Sequence, residues 1–243
     1  MKTTNLTLSI LFLFVFSTAQ AQWWQKKIKG NGTMATEVRE LGTYDAISVN
    51  GSIYVSLSQG EEGSITLEAE ENLLEYIEIT NKNEKLRIKI KDQISLRTSH
   101  GKGIKINVPV TEVSKLSLNG SGDIDGMFPL TTSKLKLNVN GSGDIEVDVA
   151  VEELQAAIAG SGDIDISGKA QEFNASVTGS GDIDAKDLKV SVCNATVTGS
   201  GDISVNASEK LNSKVVGSGD VHVNKSVKVI EKKIVGSGDV NKY

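Results

Sequence analysis

The tetrapeptide Gly-Ser-Gly-Asp occurs seven times in this chain, each time followed by Ile or Val. The first glycines are Gly120, Gly141, Gly160, Gly179, Gly199, Gly217 and Gly236, so successive copies lie 21, 19, 19, 20, 18 and 19 residues apart. A sustained period near twenty residues is the mark of a solenoid, in which each repeat is one unit that buries its apolar side by stacking on its neighbours. Two columns flank the motif. Leu118, Val139, Ile158, Val177, Val197, Val215 and Ile234 stand two residues before the first glycine. Ile124, Ile145, Ile164, Ile183, Ile203, Val221 and Val240 stand four residues after it. Around them apolar and polar residues alternate, as in Lys134-Leu135-Lys136-Leu137-Asn138-Val139 and Ile145-Glu146-Val147-Asp148-Val149. Period two with branched aliphatics predicts strands with one buried face.

The fold class expected is therefore all-β, a single-chain parallel β-helix. About seven rungs are expected over residues 116–243, each with a strand, a Gly-Ser-Gly-Asp corner, a second strand and a variable return. Stacked rungs lie ~4.8 Å apart. The alternative is an antiparallel meander whose hairpins are the corners. Phe173 shares its rung with Ala175 and Ala185, a large ring beside two small residues that keeps interior volume constant. Cys193 falls in the same column as Phe173 and Leu211 and reads as a small buried apolar residue.

Residues 38–115 lack the full motif but alternate in Ile53-Tyr54-Val55-Ser56-Leu57, Ser64-Ile65-Thr66-Leu67-Glu68 and Lys85-Leu86-Arg87-Ile88-Lys89-Ile90. Asn50-Gly51-Ser52 reads as a degenerate corner and Glu71-Asn72-Leu73-Leu74-Glu75-Tyr76 as one helical turn. This irregular β-rich part is expected to cap the solenoid or to be continuous with it, because an uncovered sheet edge invites aggregation. The rung after the seventh corner looks incomplete, so that end is expected to be open to a partner, with end-to-end self-association as one outcome.

Residues 1–21 read as a secretory signal peptide: Lys2, an apolar run from Leu8 to Phe16, then Ala19-Gln20-Ala21. Residues 22–37, with Trp23 and Trp24, read as an N-terminal tail. No later segment is apolar and long enough for a transmembrane helix. The chain is thus expected in the periplasm, on the cell surface or in the medium. The single cysteine excludes an intramolecular disulfide and any cysteine-based zinc cluster. A formal net charge of −5 argues against a nucleic-acid partner.

The order Tyr44-Asp45-Ala46-Ile47-Ser48-Val49, then Glu71-Asn72-Leu73-Leu74-Glu75-Tyr76-Ile77, then tandem Gly-Ser-Gly-Asp-Ile resembles the putative auto-transporter adhesin, head GIN domain family of exported bacterial proteins, common in Bacteroidetes. The resemblance covers nearly all of the chain after its N-terminal tail. It implies a right-handed β-helix and an adhesin-like or cell-envelope role, with no catalytic residues to carry across. The sequence contains no recognisable β-barrel translocator.

A glycine-rich corner ending in a carboxylate invites four chemical readings. Phosphate-cradling loops precede a helix N-terminus, whereas strands follow here. Calcium needs six to eight oxygens, which stacked Asp123, Asp144, Asp163, Asp182, Asp202, Asp220 and Asp239 could begin to supply. The simplest reading makes each Asp an acceptor for backbone N–H groups in its own corner, with both glycines supplying positive φ. No bound cofactor is expected; calcium, as the stiffener of a structural rod, is the alternative. The fourth reading is catalysis on polysaccharide by Asp-x-Asp pairs, such as Asp163 and Asp165. Active sites break a repeat, however, and these pairs follow it. His100 and His222 have no visible nucleophile partner.

Asp125, Glu146, Asp165 and Asp184, each two residues past a corner Asp, form an outward acidic column that ends at Ser204, His222 and Asn241. Unit charges ~4.8 Å apart repel by roughly 0.9 kcal/mol even in water, a cost that a cation or basic partner relieves. This column is the candidate binding face. The expected function is a non-catalytic adhesin-like module whose ligand, glycan or protein, lies at or beyond the cell envelope.

Overall fold

The computed structural model describes residues 25–99 and 101–243. Residues 1–21, read above as a signal peptide, together with Trp23, Trp24 and His100, fall outside them. The N-terminal part runs β1 (Lys26–Lys29), β2 (Met34–Glu40), β3 (Ala46–Asn50), β4 (Tyr54–Gln59), β5 (Ser64–Glu70), a helical turn α1 (Glu71–Leu74), β6 (Ile77–Lys82), β7 (Lys85–Ile90), β8 (Ile94–Arg97) and β9 (Lys105–Val110). The repeats follow as β10 (Lys115–Gly120), β11 (Asp123–Gly141), β12 (Asp144–Gly160), β13 (Ile164–Lys169), β14 (Glu172–Gly179), β15 (Ile183–Gly199), β16 (Ile203–Gly217), β17 (Val221–Val223), β18 (Val229–Gly236) and β19 (Val240–Lys242). The chain is an all-β solenoid of about seven stacked parallel turns.

Every pairing between successive repeats is parallel, which removes the meander alternative. The long strands stay hydrogen-bonded while they bend. In β12 the buried residues are Ile145, Val147, Val149 and Val151, then Leu154, Ala156 and Ile158. The inward parity switches at Glu152-Glu153, two consecutive exposed carboxylates. Strict alternation keeps one face inward, so two exposed residues in a row mark a bend in the coil.

The core is a set of ladders. Leu118 pairs with Val139, Val139 with Ile158, Ile158 with Val177, and so on to Val215 and Ile234. Leu154, Phe173, Cys193 and Leu211 form another, and all four are buried. The small Cys193 lies over the large ring of Phe173, so neighbouring rungs share the volume. Burial pushes the Cys193 thiol up to about 12, so it stays protonated and inert at neutral pH.

The N-terminal part joins this core through the same register. β3 pairs with β10 and β4 with β11, and Gly51 lies under Gly120 at positive φ. The next layer out, β7 on β3 and β9 on β4, is also parallel. Beyond it the pairing turns antiparallel: β6 on β7, β5 on β9 and β2 on β5. A small parallel sheet of β1 and β8 flanks this end. Half of the stretch read as a tail, 22–37, is therefore paired, through Lys26–Lys29 and the start of β2. Its partners are β5 and β8, far away in sequence, which a local reading cannot supply.

Candidate functional site

The corners stack directly, and space decides their sequence as much as backbone angle does. Gly141 has φ +132°, the left-handed region that favours glycine. Gly143 does not, yet a Cβ on it would overlap the carbonyl oxygen of Gly122 in the coil beneath. The same overlap recurs at Gly162, Gly181, Gly201, Gly219 and Gly238. The expectation that both glycines supply positive φ is thus corrected. The first serves backbone and space, the second space alone. The close approach lets the Ser142 N–H donate to Gly120 O at 2.9 Å, and Ser161, Ser180, Ser200, Ser218 and Ser237 repeat that bond.

The corner carboxylates are also used between coils. The Asp163 N–H donates to Asp144 Oδ1 at 2.9 Å and the Asp182 N–H to Asp163 Oδ1 at 2.8 Å. The N–H groups of Asp202, Asp220 and Asp239 donate in the same way to Asp182, Asp202 and Asp220, each at 2.7 Å. Among the described residues, Asp239 alone of the corner carboxylates accepts from its own corner, from the Val240 N–H. The acceptor role expected within each corner is therefore corrected to a chain of bonds along the axis. It engages one oxygen of each of these carboxylates. Among the described residues no three His, Cys, Asp or Glu side chains converge to hold a metal ion. The corner carboxylates stand in file, one per coil, rather than around a point.

The second acidic column is continuous in register from Asp125 through Glu146, Asp165 and Asp184 to Ser204, His222 and Asn241. Glu146 and Asp165 are exposed, while Asp125 and Asp184 are half-buried. Glu146, Asp165 and Asp184 line an open trough with Asp148, Asp187 and Lys186; it adjoins a second stretch, sharing Glu146 and Asp165, that Asp125 lines with Tyr54 and the corner carboxylates Asp123, Asp144 and Asp163. Partial burial first, then the charges of Asp184, Glu146, Asp163 and Asp144, raise the Asp165 carboxyl above its usual range. Lys186 neutralises one end by pairing with Asp184 at 2.7 Å. Neither Glu146 nor Asp165 has a cationic partner among the described residues.

Tyr54 closes the other end of the trough. Its hydroxyl donates to Asp125 Oδ2 at 2.8 Å, and that bond to a carboxylate, with burial behind it, raises the phenol above its ordinary range. Asp125 Oδ1 is buried with no hydrogen-bond partner among the described residues. Sequence reasoning missed Tyr54, although a signal exists. Tyr54 follows Gly51 by three residues, as Asp123 follows Gly120, and the two pair in register. It is the corner residue of the first, degenerate coil.

The model of a family described as putative auto-transporter adhesin, head GIN domain, matches residues 43–226. The chain belongs to this family. Its fold recurs in solved structures. A putative adhesin from Bacteroides fragilis superposes with TM-score 0.80 at 24% identity, covering 89% of this chain and 100% of that one. A putative lipid binding protein from Parabacteroides distasonis gives 0.75 at 26%, covering 90% and 100%. A putative adhesin from Parabacteroides merdae gives 0.71 at 23%, covering 89% and 99%. No curated protein matches the chain. An exported or surface location fits the family. Among the described residues no helix is long and apolar enough to cross a membrane.

Proposed function

We propose that the protein is a non-catalytic binding module of the bacterial cell envelope, and that its acidic trough receives a positively charged ligand. The reading rests on one observation. Glu146 and Asp165 sit side by side on adjacent coils, and among the described residues neither forms an ion pair with a cation. Like charges directly opposite in a sheet destabilise it, and a cationic segment of an envelope protein or an amine-bearing glycan removes that cost. Export follows from residues 1–21 read as a signal peptide.

Catalysis is disfavoured because the Asp-x-Asp pairs keep the period of the fold, and the one carboxyl among them that is raised, Asp165, owes its shift to partial burial and to the file of like charges around it. The Parabacteroides distasonis relative's name points to lipid. In this chain the interior is filled by stacked side chains, which leaves the outer faces for any ligand.

The test is a binding screen of the chain from Gln22 onward against basic peptides, amine-bearing glycans and envelope fractions. A quadruple variant, Asp125→Asn, Glu146→Gln, Asp165→Asn and Asp184→Asn, is screened beside it. Binding that weakens with salt and is lost in the variant supports the trough, since exposed charge pairs are screened within about 8 Å at physiological ionic strength. Equal binding by both proteins removes the trough from the reading. Release of product from a polysaccharide, abolished by Asp165→Asn alone, overturns the non-catalytic reading.

A further inference from the structure

Strand β18 pairs with β16 on one side only; among the described residues nothing pairs with its other edge. Its sequence is Val229-Ile230-Glu231-Lys232-Lys233-Ile234-Val235-Gly236. Val229 and Val235 are 47% and 55% exposed, and Ile230 and Ile234 are only partly covered at the end of the core. An edge with free N–H and C=O groups and exposed apolar residues is a template for another strand.

The order of residues on this edge says which strand. Read outward from Lys232, the two arms complement each other: Glu231 against Lys233, Ile230 against Ile234, Val229 against Val235. We infer that β18 pairs antiparallel with β18 of a second copy, about a two-fold axis that passes through Lys232 and makes the sheet continuous across a symmetric dimer. Residues directly opposite in an antiparallel pair point to the same side of the sheet. In this register Ile230 and Ile234 of the two copies therefore meet on the core side, and Val229 and Val235 meet on the outer side. Glu231, which pairs with Lys210 of its own chain at 2.8 Å, also faces Lys233 of the partner subunit twice over, once on each side of the axis. Sliding the register by two residues sets Glu231 against Val235 and leaves Val229 without a partner.

One pair in this register is unfavourable, Lys232 against its own copy. Lys232 lies in the inward column that holds Ala175, Ala195 and Ser213 in earlier coils. Asp239 of the same chain approaches its ammonium at 3.3 Å and offsets part of its charge. The opposite end of the molecule lacks such complementarity. On β2, with Met34 and Val38 exposed, folding about Glu37 sets Ala35 against Arg39 and Met34 against Glu40. Self-pairing is thus written into one end alone, and the symmetry closes the assembly at two copies.

Sedimentation equilibrium of the chain from Gln22 onward, over a range of concentrations, tests this. The expected result is a monomer–dimer equilibrium. Lys233→Glu sets carboxylate against carboxylate at two places and is expected to raise the dimer dissociation constant about tenfold or more. Glu231→Lys combined with Lys233→Glu restores opposite charges across the axis and is expected to recover part of that loss, because Lys210 loses its own partner. Lys232→Ser removes the one like-charge pair and tightens the dimer. Unchanged melting of each variant at concentrations low enough to hold it monomeric shows that the edge is read on folded protein. A monomer at every concentration, a mass that grows past two copies, or a dimer that ignores Lys233→Glu overturns the inference.

Discussion

The N-terminal part and the coils that follow it are built from the same alternating strands, but different things hold them in place. In the coils the structure is a property of columns. A glycine is required because the glycine below it has a carbonyl in the way, and an Asp is bonded because the next coil presents an N–H. In the N-terminal part the structure depends on single residues that reach across. Arg39 donates to Ile77 O at 2.6 Å and to Leu74 O at 3.0 Å, while Glu37 holds its guanidinium. Asn81 donates to the carbonyls of Gly42 and Thr43. Glu70, buried, accepts from Gly32 N–H, Ser99 N–H and the Ser99 hydroxyl. The comparison teaches that a parallel coil propagates itself by repetition, but its end must be finished residue by residue. There the sheets turn antiparallel, and side chains take up carbonyls that the next coil would have taken.

The largest effect expected from breaking this contrast is in the coils. Gly162→Ala puts a methyl group against the Gly143 carbonyl inside the stack and is expected to cost at least about 3 kcal/mol, read from chemical denaturation. Gly238→Ala makes the same overlap in the last corner, where one coil can shift freely, so its loss is expected to be clearly smaller. Equal losses at the two positions would mean that the stack does not transmit strain as described.

The next effect is in the N-terminal part. Arg39→Ala leaves the Leu74 and Ile77 carbonyls without their donor and is expected to cost about 2 kcal/mol. Hydrogen exchange should speed up in residues 71–82 and stay unchanged in the coils from 130 to 220. Exchange that rises equally in both would show that the two parts unfold as one.

Acid separates the parts in a third way. The Ser99 hydroxyl first, then the Ser99 and Gly32 N–H groups, hold the Glu70 carboxyl below its ordinary value of 4.5. A lowered carboxyl stabilises the fold above the unfolded value, and that contribution is lost as pH falls through the folded one. The N-terminal part is therefore expected to loosen first below about pH 4.5. Glu70→Gln should flatten this dependence in a melting-temperature profile.

The smallest effect has the opposite sign. Burial and neighbouring carboxylates raise the Asp165 carboxyl, so its ionised form destabilises the fold above the folded value. Stability is regained as pH falls through that value toward the unfolded one. Asp165→Asn is expected to stabilise the chain at neutral pH by a few tenths of a kcal/mol, and to abolish that acid gain.

Much of the coil was legible in the sequence because a period exposes equivalence. Once Gly120, Gly141 and their successors are aligned, the ladder of Val139, Ile158 and Val177 and the acidic file of Glu146 and Asp165 follow by counting. The destination of the Asp144 hydrogen bond was not legible, since a bond within the corner and a bond to the next coil have the same sequence. Nor was the role of Gly143, because the space beneath a residue exists only after stacking. The N-terminal closure was hidden for a different reason. Met34 meets Glu70 and Asn81 meets Gly42, and no period relates those positions. Tyr54 stood in between: its place in the trough is readable only if Asn50-Gly51-Ser52 is taken as the first corner.

The chain of bonds from each corner N–H to the carboxylate one coil back has a consequence for how such a molecule changes over generations. From the corner of Asp163 to that of Asp220, each coil presents the same acceptor forward and the same donor backward. A whole unit inserted or deleted between two others therefore leaves no donor or acceptor without its counterpart. Duplication of the corresponding stretch of gene yields a longer protein that is already satisfied in its backbone, with reach added at ~4.8 Å per unit. Length is then a trait that recombination can tune, while the two ends stay as they are.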